Sequence, residues 1–159
     1  MAGVINVTAG SQAILVLGNT SALAVPGAAG SLEVPLMQDL TLTTSPGTVR
    51  YSTLDSTASS AFTTVVENAV SGSMLVDDDV FFGLSNVTNS VANDGLWTTS
   101  NSKNEIFFSV AFEGADSGDY YLTGKGFIGG LAPSASIDQA VWISPLEITV
   151  NGDLTKSTV

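Results

Sequence analysis

The strongest constraint on the fold is an alternation of apolar and other side chains in the last third of the sequence. In residues 106–112 every second side chain is large and apolar, and a period of two places those side chains on one face of a β-strand. Residues 114–119 have the composition of a turn, and residues 120–128 and 140–150 alternate again. Three consecutive strands joined by short links predict an antiparallel meander as the frame of the protein. The core-facing side chains of its first strand are Ile106, Phe108, Val110 and Phe112.

The amino-acid composition predicts a single globular domain over residues 1–159. Apolar residues make up 44% of the 159-residue chain and charged residues 12%, so the chain can bury a core of the size that one domain needs. The sequence contains neither cysteine nor histidine. A disulfide framework and a thiolate metal site are therefore excluded, and the commonest general base is missing. We expect no cofactor and no metal.

The remaining residue types form no recognisable catalytic motif. Lys103, Lys125 and Lys156 stand in no Ser-x-x-Lys context. Residues 124–130 are rich in glycine but lack the spacing of a phosphate-binding loop, and the three acids at 77–79 lack the spaced ligands of a calcium loop. A carboxylate pair for glycoside hydrolysis stays open, because the separation of two carboxylates depends on the fold. We expect a protein that is not an enzyme.

The charge balance excludes the commonest kinds of electrostatic binding. The chain has 4 Lys and Arg residues against 15 Asp and Glu residues, which gives a net charge of −11. It therefore lacks the cations that replace counterions on nucleic-acid phosphates, and anionic membrane surfaces repel it. The apolar run at residues 13–17 is too short to span a bilayer, and the N-terminal residues lack the basic charges of a signal peptide. We expect a protein of the cytoplasm, or one that is assembled there.

The first third of the chain predicts strands separated by loops. Residues 1–31 are rich in small side chains, which is typical of a loop-rich segment or of an arm that orders against a neighbouring subunit. Residues 32–44 predict a strand, and Pro35 assigns that strand to an edge or a bulge. Ser-Pro-Gly at residues 45–47 predicts a turn, and residues 49–54 predict a short strand after it.

The rest of the chain predicts one further long strand and one helix. Residues 62–76 favour a strand with a bulge or bend at Gly72. An aspartate starts the single predicted helix at residues 79–92, where apolar side chains recur at helical spacings. Residues 96–99 predict a short strand, and residues 154–159 a polar C-terminal tail that is frayed or used at a contact.

Six stretches of the sequence, in this order, are similar to the strands and loops of the major tail tube proteins of long-tailed bacteriophages. The similarity covers residues 32–155 and rests on an arrangement, not on one invariant motif. One recognisable part is a strand that leads into Gly-x-Gly-Phe-Ile, a loop and a final strand. The six stretches are residues 37–42, 51–55, 70–76, 107–113, 120–131 and 136–154.

The resemblance implies a mainly β protein, an antiparallel β-sandwich or barrel with one short flanking α-helix. It implies that six copies form a ring with an inner β-barrel, and that rings stack into a tube through which DNA passes. The tube would belong to the virion tail, with a tape-measure protein in its lumen before infection and with sheath, terminator and baseplate proteins as further partners. Loops within residues 45–62 would bridge subunits or rings, and the candidates are Ser45, Pro46, Gly47, Asp55 and Ser56.

The acidic composition agrees with a conduit for DNA. Six copies at −11 each carry −66 formal charges, and acids that face a narrow lumen would repel DNA phosphates within the screening length of about 8 Å. Glu113, Asp138 and Glu147 are candidates to face the lumen because they lie on or beside the closing strands of the chain. A solvated outer face is the alternative for each of them.

Two other classes of function fit the same composition. One is another assembly role in a virion, such as a capsid decoration protein or a tail terminator. The other is a β-sandwich binding module at a cell surface, which would display aromatic side chains on one loop face. Trp97 and Trp142 are the tryptophans available for that role, although Trp142 lies inside a strand pattern and is better explained as buried or interfacial.

Overall fold

The computed structural model describes residues 13–52 and 58–159, and in those ranges the chain forms nine strands and two helices. The strands are β1 (Ile14–Gly18), β2 (Leu32–Glu33), β3 (Met37–Tyr51), β4 (Ser60–Leu75), β5 (Ile106–Ala111), β6 (Tyr120–Gly129), β7 (Ser134–Ser136), β8 (Gln139–Val150) and β9 (Thr155–Thr158). The helices are α1 (Asp78–Phe82) and α2 (Ser90–Ser102), which follow β4 in the chain.

All nine strands belong to one antiparallel sheet. The order across the sheet is β2-β1-β5-β6-β8-β4-β3, and the short strands β7 and β9 pair with β8 and β6. The mainly β, antiparallel fold predicted from the sequence is confirmed. The predicted meander is present in β5, β6 and β8, which are neighbours in the sheet.

The core lies on one face of the sheet, against the two helices. A row of buried side chains crosses three strands, because Val70 in β4 pairs with Ile148 in β8 and Ile148 pairs with Ile128 in β6. Phe81 of α1 and Leu96 of α2 join the same buried cluster. Removal of this apolar surface from water is the main term that stabilises the domain.

Strand β5 confirms most of the predicted alternation. Ile106, Phe108 and Val110 are buried in the core cluster. Phe112 lies one residue beyond the end of β5 and is 38% exposed, so its predicted place in the core is wrong. Once the strand has ended, its period of two no longer fixes where the next side chain points.

The helical region differs from the prediction of one helix over residues 79–92. Helix α1 is capped by the Asp77 side chain and ends at Gly83, and α2 begins after the cap residue Asn89. The break follows from Gly83, whose φ of 102° lies outside the helical region. The short strand predicted at residues 96–99 is also wrong, because that segment continues α2 after a kink at Gly95.

Asn89 ties the start of α2 to the N-terminal part of the described chain. Its buried amide group donates to the carbonyl oxygens of Leu17 (3.1 Å) and Gly30 (3.2 Å). Its side-chain oxygen accepts from the backbone N–H groups of Val91 (3.2 Å) and Asn19 (3.3 Å). One side chain thus holds α2, β1 and the loop of residues 19–31 together.

The C-terminal residues are ordered as β9 and are not frayed. Thr155–Thr158 pairs with the first residues of β6, and the backbone N–H of Val159 donates to the carbonyl of Asp119 at 2.9 Å. The Lys156 ammonium lies 3.9 Å from the ring centroid of Tyr120, which adds a cation–π contact.

The turn predicted at residues 45–47 is wrong, because β3 runs through it without a break. Pro46 is tolerated there because β3 is an edge strand and the missing N–H costs no ladder hydrogen bond. β3 has register shifts between Met37 and Asp39 and between Pro46 and Thr48. The bulge predicted at Gly72 is not there: Gly72 pairs with Leu40, and the extra residue of the first shift is Gln38 in β3, opposite Ser73 and Met74.

Replacement of Phe108 by Ala should lower the free energy of unfolding of the isolated subunit by about 3–5 kcal/mol, because it opens a cavity in the core. Phe127→Ala is the matched control, since Phe127 is 39% exposed and its truncation should cost much less. Urea unfolding followed by fluorescence measures both. Equal losses for the two variants would contradict the assignment of the core face.

Candidate assembly surfaces

Strands β3, β4, β8 and β6 are neighbours in the sheet and have one face turned away from the core. In one row across these strands, Thr41 pairs with Ser71, Ser71 with Glu147, and Glu147 with Gly129. Because side chains alternate across each strand, this row lies opposite the buried row that contains Val70. We call this surface the polar face. Its next row consists of Thr43, Ala69, Thr149 and Phe127.

The polar face is acidic. Asp39 and Glu67 share it with Glu147, because all three have the strand parity of Ser71 and its partners. Asp39 accepts two hydrogen bonds of 2.8 Å from the backbone and hydroxyl of Ser73, so its carboxylate is held at the sheet edge. Neither β4 nor β8 contains a lysine or arginine.

The cation nearest to this face is already paired. Lys125 belongs to the β6 parity of Phe127, but its Nζ lies 3.6 Å from the Glu105 carboxylate. Lys125 and Glu105 therefore form a neutral pair, and the carboxylates of β3, β4 and β8 determine the sign of the potential over the polar face.

The structure places the three acids that the sequence singled out in three different settings. Glu147 is exposed in the middle of the polar face. Asp138 is exposed in the turn between β7 and β8, at one end of that face. Glu113 follows β5 in the connection to β6 and is half-buried. The sequence analysis missed Asp39 and Glu67, because only the strand register brings them beside Glu147.

The hairpin of β3 and β4 extends beyond the rest of the sheet. The last pair between β4 and β8 is Ala69 with Thr149, so residues 44–51 and 60–68 pair only with each other within the described chain. We call these two segments the arm. At about 3.3 Å per residue the eight residues of β3 in the arm span roughly 26 Å.

The predicted bridging residues fall on the arm or outside the described ranges. Ser45, Pro46 and Gly47 lie in β3 at the base of the arm, in a strand and not in a loop. Asp55 and Ser56 lie outside the described residues. A role for any of the five in contacts between subunits stays a prediction.

The register shift after Pro46 gives the arm one apolar face. Pro46 pairs with Val66, and beyond the shift Val49 pairs with Phe62. The extra residue is in β4, where Thr64 and Val65 stand opposite Gly47. Without it Phe62 would lie on the opposite face, with Val66. The apolar face of the arm consists of Val49, Tyr51 and Phe62, on the side of Ser45 and Glu67, and Pro46 and Val66 lie on the other side.

The described chain does not cover the apolar face of the arm. Tyr51 is 52% exposed and Phe62 is 53% exposed, and their rings contact each other with centroids 6.1 Å apart. A two-stranded ribbon without a core is marginally stable in water, and clustered exposed apolar side chains mark a contact surface. The geometry of the arm therefore indicates that another molecule packs against its apolar face.

Two kinds of feature are absent from the described residues, a metal-binding cluster and a membrane-spanning helix. No group of three or more acidic side chains in those ranges is arranged to hold a metal ion. No helix within the same residues has the length and apolar character to cross a membrane. A cleft of about 620 Å³ lies between the base of the arm and residues 149–153.

Known proteins resemble this chain in structure, although the sequence comparisons found no match. No protein-family model matches the sequence, and no curated protein matches it. The tail of an empty gene transfer agent particle, refined with C6 symmetry, has a TM-score of 0.67 at 14% identity over 96% of this chain and 100% of its own.

Two further solved structures come from different kinds of tube. The tail tube of SPP1 has a TM-score of 0.66 at 12% identity, over 96% of this chain and 80% of its own. The sheath–tube complex of PVC, an extracellular contractile injection system, in its extended state, has a TM-score of 0.64 at 10% identity over 98% and 95% of the two chains. The chain thus has the fold of tail tube subunits, and the resemblance noted in the sequence is confirmed at the level of fold.

Proposed function

We propose that this protein is the structural subunit of a phage-type tail tube, in which stacked hexameric rings form an acidic conduit for DNA. The observation that carries the proposal is the likeness to three kinds of tube subunit over at least 96% of the chain. The polar face and the arm supply a physical reason for such an assembly. The protein would act through its assembled form and not through catalysis.

The free edge of β3 is the element that would join copies into a ring. Within the described chain β3 pairs on one side only, with β4, and an open edge is a template for a strand of another molecule. Four strands from each of six copies would make a barrel of 24 strands, given the C6 symmetry of one structural relative. Closure into a barrel removes the open edges.

The polar face would line the lumen of that barrel. Its serine and threonine side chains are short, and its carboxylates at Asp39, Glu67 and Glu147 repel a polyanion. At physiological salt this repulsion reaches about 8 Å from each charge. DNA would therefore move along the bore without binding to it. Asp138 would stand at the rim of the lumen, and Glu113 remains a candidate outside the polar face.

The other partners follow from the same proposal. A tape-measure protein would fill the lumen before the DNA enters it, and terminator and baseplate proteins would close the two ends of the tube. In a contractile tail a sheath protein would surround the tube. The protein would then be located in the virion tail, after assembly in the cytoplasm of the host.

The unaltered protein should form hollow tubes at high concentration, visible by negative-stain electron microscopy. Phe62→Ser should abolish or greatly reduce tube formation, because it removes an apolar contact of the arm, while the free subunit stays folded. Val66→Ser is the control: Val66 is 38% exposed on the other face of the same strand, and tubes should persist. A protein that stays monomeric, or forms rings that never stack, would contradict a tube.

Tubes of Glu147→Lys should retain at least ~10-fold more of a 20-base-pair duplex in a low-salt pelleting assay than unaltered tubes, and the retention should fall steeply with salt. Glu33→Lys makes the same charge change in β2, at the far end of the sheet. That control should retain little DNA. Equal retention by both variants would show that Glu147 does not face the lumen.

A further inference from the structure

The turn that joins β8 to β9 contains the one Asn-Gly pair of the sequence, Asn151-Gly152. Strand β8 ends at Val150 and β9 begins at Thr155, so both residues of the pair lie outside the two strands. Both are exposed. Water therefore reaches the side chain of Asn151 and the backbone of Gly152.

Asn151 is held in place by its backbone and by its side chain. Its backbone N–H donates to the carbonyl oxygen of Lys125 at 2.7 Å. Its side-chain Nδ2 donates to the Glu105 carboxylate at 2.6 Å. Neither hydrogen bond involves Cγ, the side-chain carbon that a nucleophile would attack.

Gly152 has room to move toward that carbon. Its φ is 95°, in a region that glycine adopts without the steric cost of a side chain. Apart from its two chain neighbours, nothing in the described chain lies within 4 Å of the position that a Cβ would occupy. Because glycine has no side chain to shield its backbone nitrogen, that nitrogen can approach Cγ of Asn151.

We propose that Asn151 is a site of spontaneous deamidation. The backbone nitrogen of Gly152 loses its proton to hydroxide and bonds to Cγ, the bond between Cγ and Nδ2 breaks, and Nδ2 takes a proton from water and leaves as ammonia. Water then opens the five-membered imide at either of its two carbonyl carbons. The product is aspartate or isoaspartate at position 151. The reaction takes place within one chain and does not depend on the proposed function.

The reaction replaces an N–H donor by a carboxylate beside Glu105. In the unmodified protein the Glu105 carboxylate accepts from Asn151 and lies 3.6 Å from Nζ of Lys125. Two ionised carboxylates disfavour each other at such a distance, so the hydrogen bond that ties the turn to the residue before β5 is lost. The net charge of −11 becomes more negative by one unit, next to a pair that was neutral.

Isoaspartate also lengthens the main chain of the turn, because its side-chain carbon becomes part of the backbone. The extra bond adds about 1.5 Å of chain between β8 and β9. Strand β9 pairs with residues 120–123 of β6, and three of its four side chains are exposed. Little buried apolar surface therefore opposes its release, and we expect β9 to be the element that loosens.

Incubation of the purified free subunit in mildly alkaline buffer, followed by peptide mass spectrometry, tests the proposal. Each deamidation adds about 1 Da, and enzymatic methylation detects isoaspartate. Asn151 should react at least ~10-fold faster than Asn86 or Asn101, since neither of these precedes a glycine. Its reaction should slow in mildly acidic buffer, where less of the Gly152 nitrogen is deprotonated.

The two reference asparagines separate exposure from the effect of the following residue. Asn86 is exposed in a loop and precedes a valine, and Asn101 is exposed in α2 and precedes a serine. Equal rates at the three positions, or an Asn151 that stays intact while the other two react, would overturn the proposal.

Asn151→Gln is the matched variant, because a glutamine would have to close a six-membered ring. It should remove the modification from this peptide, and a mass increase that persists at the same rate would overturn the assignment. In the unaltered protein, hydrogen exchange at the amides of β9 should be at least several-fold faster in the isoaspartate fraction than in fresh protein. Unchanged exchange would contradict the expected release of β9.

Discussion

The structure depends on a hairpin that is longer than the sheet that supports it. Strand β4 has 16 residues, but only residues 69–75 pair with β8. The rest of the hairpin has no core of its own, and one of its faces is apolar. Folding of one chain therefore leaves apolar surface and strand edge in water, and only association with further molecules removes both.

The two faces of the same four strands have opposite chemistry. One carries the row of Val70, Ile148 and Ile128 and packs in the core, whereas the other carries short hydroxyl side chains and carboxylates. A strand period of two allows one sequence to specify both faces at once. The negative charge opposes association of copies, so the contacts that join them must be apolar or made by the backbone. The arm and the free edge of β3 meet that requirement.

The sequence predicted the features that depend on local pattern. The alternation in β5 identified Phe108 as a core residue because the whole pattern lies within the six residues of that strand. Ser-Pro-Gly at residues 45–47 fits a turn as well as a bulged edge strand, and the long partner strand β4 decides between them. Residues 96–99 have strand-forming side chains, but burial of Leu96 and Thr99 against the body of the protein selects a helix.

The acidic face could be predicted only in part. Glu147 lies in a strongly alternating strand, so its parity is readable from the sequence. Asp39 and Glu67 join it through the pairing of β4 with β8, in which Ser71 and Glu147 are 76 positions apart. The register shift between Met37 and Asp39 also changes which face the β3 side chains occupy. Such shifts depend on the partner strand, and no short stretch of sequence encodes them.

The most direct test is a helical reconstruction of the assembled tubes by electron cryomicroscopy, at a resolution that shows side chains. If the polar face lines the bore, the carboxylates of Asp39, Glu67 and Glu147 will point toward the tube axis, and strands β3, β4, β8 and β6 will form the inner wall. An inner wall made by α2, or a polar face buried between neighbouring subunits, would contradict it.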